Sequence, residues 1–104
     1  MAADLALTTT DNIGRIAALD SVTPKTFSFA GLNYADLTTD VKLYFVYGDT
    51  DAAFSAAAKS MVLAGMCRSI PRDPSIPATD PWYITVLSTA TSEVDVLGYN
   101  KGGS

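Results

Sequence analysis

Four of the chain's five prolines, Pro71, Pro74, Pro77 and Pro81, fall within eleven residues, and neither a helix nor a central strand can run through them. Each lacks an N–H to donate, and each biases its predecessor toward extended geometry. Residues 70–82 therefore read as an extended loop or arm, stiff for its length. In so small a domain, an unstructured stretch of this size is uncommon and usually carries function or meets a partner. It divides the chain into a long N-terminal part and a short closing part.

Before the prolines, several segments have strand character. Residues 5–10 form a short strand or arm, and 12–19 fit strand or irregular structure better than a helix because Gly14 weakens a helical face. Thr26 to Ala30 alternates, with Phe27 and Phe29 on one side, and Gly31 turns the chain toward a return stroke over 32–34. The clearest strand is VKLYFVY, Val41 to Tyr47, dense in β-branched and aromatic residues. Gly48-Asp49-Thr50-Asp51 then stops the strand and caps a helix over about 52–68. Asp51, Ser55 and Lys59 make a polar stripe. Past Lys59 no polar face remains, which predicts a second helical half buried on all sides, Cys67 included. YITVLS and EVDVLGY close the chain as a hairpin in which Ile84 and Val86 oppose Val94 and Val96.

The fold class expected from this order is α+β: an antiparallel sheet of four to six strands, one principal helix at about 52–68 and a C-terminal β-hairpin. No repeat or boundary divides residues 1–104, so a single domain is expected, with 101–104 as a flexible tail.

Charge excludes more than it selects. Seven Lys and Arg against eleven Asp and Glu give a net −4, and there is no histidine. An acidic balance argues against binding duplex nucleic acid. The missing imidazole removes the commonest general base and metal ligand. A lone Cys67 makes no internal disulfide, and no apolar run is long enough for a membrane span. The first residues lack a signal peptide's basic start and apolar run, so synthesis in the cytoplasm is expected. Only 17% of residues are charged, against about 25% for a typical soluble domain.

Each candidate for chemistry has a plainer reading. Asp49-Thr50-Asp51 is half a calcium loop without the Gly and bidentate Glu, and fits a helix cap. Ser55 and Lys59 are spaced S-x-x-x-K, not the S-x-x-K of penicillin-recognising enzymes. Cys67, at the C-terminal end of the expected helix and without a histidine partner, fits a core cysteine. Arg68 and Arg72 with Trp82 and Tyr83 suit stacking of single-stranded nucleic acid, but loop anchoring is the stronger reading at this net charge. Asp36, Asp40, Asp73, Asp80 and Asp95 are scattered singly. No catalytic, cofactor-binding or metal-binding residue is assigned, and no small-molecule ligand is evident.

Two features favour association: small residues at Ala56, Ser60 and Ala64, and the proline arm with Ile70, Ile76 and Trp82. With the low charge, they lead to a non-enzymatic, self-associating structural subunit. Its most concrete form is a virion component: a small capsid, cement or connector protein. The expected partners are copies of the chain or particle neighbours, and the expected contact residues are Met61, Val62, Leu63, Met66, Ile76, Trp82 and Tyr83. The alternative is a small protein- or peptide-binding module, and third stands a small enzyme that works without histidine.

Overall fold

The computed structural model describes residues 4–48, 60–72, 76 and 80–100. Among these described residues there are nine strands: β1 (Leu5–Leu7), β2 (Ile13–Leu19), β3 (Lys25–Phe29), β4 (Tyr34–Thr39), β5 (Leu43–Gly48), β6 (Ser60–Val62), β7 (Cys67–Pro71), β8 (Trp82–Ser88) and β9 (Ser92–Tyr99). They form a five-stranded sheet in the order β1-β3-β8-β5-β6 and a four-stranded sheet in the order β2-β9-β4-β7.

The pairing has a simple generator. β2 pairs β9, β3 pairs β8, β4 pairs β7 and β5 pairs β6, all antiparallel, as in one long ribbon doubled back between β5 and β6. The ribbon is then rolled, so that β9 also pairs β4 and β8 also pairs β5. A doubled ribbon rolled into two sheets is the jelly roll. β1 adds a fifth strand, parallel to β3.

Alternating side chains fill the space between the sheets. Along β9, Ser92, Val94, Val96 and Gly98 are buried, while Glu93, Asp95, Leu97 and Tyr99 look outward. β4 follows the same rule, with Ala35, Leu37 and Thr39 buried. A core cluster draws Phe27, Phe29, Phe45, Ile84 and Val86 from one sheet and Leu19, Leu37, Val94 and Val96 from the other. Trp82, only 1% exposed, stacks on Phe29 with ring centroids 4.5 Å apart and donates Nε1–H to the Leu32 carbonyl at 2.8 Å. Gly98 belongs to this packing, since a Cβ there would run into Leu32 Cδ1. Buried hydroxyls pair with each other: Thr26 with Thr85 at 3.1 Å, and Ser88 with Ser92 at 2.7 Å.

The α+β expectation is overturned, because the described residues hold strands in two sheets and no helix. Residues 60–62 are strand β6, 63–66 are a turn with Gly65 at φ +74, and 67–71 are strand β7. A left-handed residue cannot sit inside an α-helix, and here it reverses the chain. Residues 52–59, with the expected helix cap at 49–51, lie outside the described residues. The expected C-terminal hairpin is also corrected. β8 and β9 never pair with each other; they belong to different sheets, and 89–91 crosses between them. Strand β7 takes in Ile70 and Pro71 and β8 starts at Trp82, so the ends of the expected proline arm are strand, and Ile76 is buried in the core. Residues 101–104 lie outside the described residues.

The rolled wiring gathers four connections at one end: 20–24, 89–91, 40–42 and 63–66, in that order across the sandwich. Backbone bonds tie them together: Ser88 N–H to Asp20 O at 3.2 Å, Thr89 N–H to Lys42 O at 3.2 Å and Gly65 N–H to Thr39 O at 3.0 Å. In the first connection, Asp20 Oδ1 accepts from Thr23 N–H at 2.7 Å and Val22 N–H at 2.9 Å. These bonds to Thr23 and then Val22 hold the Asp20 carboxyl below its ordinary range. Its contribution to stability is therefore present above the unfolded value of about 4 and fades as pH falls through the lower folded value. Asp20→Ala should flatten the acid limb of the urea midpoint measured against pH below about 4. An acid limb of unchanged slope would show that Asp20 does not hold this turn.

Candidate functional site

At one flank of that end, the chain leaves β6, turns and enters β7, passing from one sheet to the other. Met66 N–H closes the turn on the Leu63 carbonyl at 3.0 Å. Val62 reaches into the core and anchors the corner. Around it, Leu63 is 56% exposed, Met66 55% and Met61 42%. Arg68 laces the corner together: its guanidinium lies 5.3 Å from the Phe45 ring centroid and donates Nη1–H to the Met61 carbonyl at 2.9 Å. A hollow of about 170 Å³ lies among these residues and Cys67.

The second surface is the outer face of the four-stranded sheet. Strand register sets its side chains in rows. Ile13, Leu97, Asp36 and Ser69 form one row, and Arg15, Asp95, Thr38 and Cys67 form the next. Arg15 grips Asp95 through Nε at 2.6 Å and Nη2 at 3.3 Å, with Glu93 3.8 Å away. The hydrogen bond that Arg15 donates to Asp95, followed by the charge of Asp95 and that of Glu93, raises the Arg15 pKa. Asp36 Oδ1 accepts from Ser69 Oγ at 2.6 Å and Tyr99 OH at 3.1 Å, and Tyr99 stacks on Tyr34 at 5.4 Å. A groove of about 620 Å³ runs over these rows, with Ile13 72% and Leu97 39% exposed along it.

The expected contact residues are distributed unevenly. Met61, Leu63 and Met66 come together at the corner with Val62 beneath them. Trp82 and Ile76 are core residues. Tyr83, half-buried between the inward-facing Trp82 and Ile84, lies on the outer face of the five-stranded sheet. Two expectations about this region are corrected. The segment 61–67 is not buried on all sides, since Met61, Leu63, Met66 and Cys67 are exposed, and Cys67 is no core cysteine. An edge strand at a sheet corner has too few neighbours to cover every apolar side chain.

The basic and aromatic residues flanking the prolines do not form a stacking platform. Trp82 has its ring on Phe29, Arg68 lies on Phe45, and Arg72 donates to the Ile76 carbonyl. Ser55 and Lys59 lie outside the described residues. Asp36 and Asp95, single in the sequence, share the groove as diagonal neighbours on β4 and β9. The alternation of YADLTT and SEVDVLGY is enough to aim both carboxylates outward; only the β4–β9 register brings them together. Both are committed, one to Arg15 and the other to Ser69 and Tyr99, and their groove is open rather than enclosed. That arrangement suits recognition of a surface more than acid–base chemistry, which gains from exclusion of water. No family model matches the chain, and a comparison with curated proteins gives no match.

Proposed function

We propose that this chain is a non-enzymatic structural subunit that associates with copies of itself, a small viral capsid, cement or connector protein being the most concrete form of that role. The observation that carries the reading is the β6–β7 corner. Three large apolar side chains stand in solvent there, on the end of β6 and a turn fixed by backbone hydrogen bonds, with Val62 as the anchor. Apolar side chains gathered on a rigid support gain free energy when a partner covers them. The sparse charge of the chain removes one of the usual barriers to such contact. Jelly rolls serve in viral coats, and also in lectins and cupins, so the wiring agrees with this role without selecting it.

Light scattering over a wide concentration range tests the proposal. The expected result is a mass that is a multiple of the chain's 10.9 kDa. A single 10.9 kDa species at every concentration would overturn it. A second reading, a protein- or peptide-binding module, is favoured by the groove over β2, β9 and β4. It calls for a monomer that melts at higher temperature when its ligand is added.

A further inference from the structure

We infer that two copies pair about a two-fold axis beside Cys67, the β6–β7 corner of each seated in the sheet groove of the other. This rests on the self-association proposed above and specifies its contact.

The first argument is placement. Cys67 lines both the hollow at the corner and the groove on the outer face, so the exposed apolar side chains of the corner and the groove adjoin on the same molecule. An isologous contact requires a patch on which residue i meets j while j meets i. A corner and a groove that share one residue meet that requirement, with the shared residue near the axis.

The second argument is coverage. The large hydrophobic side chains exposed among the described residues are seven, and Ile13, Met61, Leu63, Met66 and Leu97 account for five of them. Those five divide between the groove and the corner, so one contact covers most of the large hydrophobic side chains exposed among the described residues. The third argument is charge. The groove lining carries Asp36 and Asp95 against Arg15, while the corner carries Arg68. One net negative charge therefore faces one positive charge, twice per dimer. Complementarity of this kind sets the register of a contact more than its strength.

The test uses the full chain with its native cysteine. Diamide, which takes the two thiol hydrogens, should convert the protein to a reducible species of twice 10.9 kDa on a non-reducing gel. Cys67 is the only cysteine, so the link reports on that residue alone. In parallel, Asp36→Lys and Arg68→Glu should each weaken the dimer about tenfold, and the double variant should recover to within about threefold of the native chain. A larger particle by light scattering, with Cys67 left unlinked and no rescue in the double variant, would overturn this contact and leave self-association standing. Linking without rescue would overturn the groove as the seat of the corner. A monomer at all concentrations would remove both this contact and the proposed function.

Discussion

Trp82→Ala should remove a large share of the protein's stability, about 3–5 kcal/mol against a total of about 5–15 kcal/mol for a domain of this class. The indole is 1% exposed and sits where the proline segment ends and β8 begins. Its ring lies on Phe29, the last residue of β3, and its Nε1–H holds the carbonyl of Leu32, just before β4. One side chain thus fixes the crossing from the five-stranded sheet to the four-stranded one. Truncation removes the stack, leaves a cavity and strips Leu32 of that donor together. Trp82→Phe separates these terms: it keeps an aromatic ring near Phe29 but loses the donor, at a cost of about 1–3 kcal/mol. Urea unfolding followed by far-ultraviolet circular dichroism measures both without relying on the lost fluorophore. A loss below about 1 kcal/mol for the alanine variant would show that Trp82 is not the packed anchor described.

Much of the strand content was legible because it obeys the period of two. TFSF puts Phe27 and Phe29 inward, and EVDV puts Val94 and Val96 inward. The pairing was not legible. Ile84 and Val86 do share the core with Val94 and Val96, but from opposite sheets rather than side by side in a hairpin. Local alternation records which face is buried and carries nothing about which strand lies alongside. The segment SMVLAGMCR failed for a different reason. Its apolar residues follow no strand period because Met61, Leu63 and Met66 lack core partners, so a rule that reads apolar as buried turned two short strands and a turn into a helix. Part of the candidate site was hidden for the same reason as the pairing. The association residues proposed from the sequence included the exposed corner, but the groove depends on a register among β2, β9, β4 and β7 that no local pattern encodes.

Replacing Leu63 and Met66 together with Asp should separate association from folding. Both side chains are more than half exposed and lie outside the buried core. Surface substitutions of this kind change stability by about 0.5 kcal/mol or less. The turn survives, because Gly65 keeps its left-handed conformation and the Met66 N–H to Leu63 carbonyl bond involves only backbone. In an interface the same change places four carboxylates per dimer in a dehydrated contact, where unpaired charge is expensive. The apparent dissociation constant should rise at least about a hundredfold, which corresponds to about 2.8 kcal/mol. Light scattering should then show the 10.9 kDa monomer at concentrations where the native chain is assembled, with the thermal midpoint shifted by a few degrees at most. A variant that assembles like the native chain would remove the β6–β7 corner from the contact. A variant that unfolds would show that Leu63 and Met66 support the fold, contrary to their exposure.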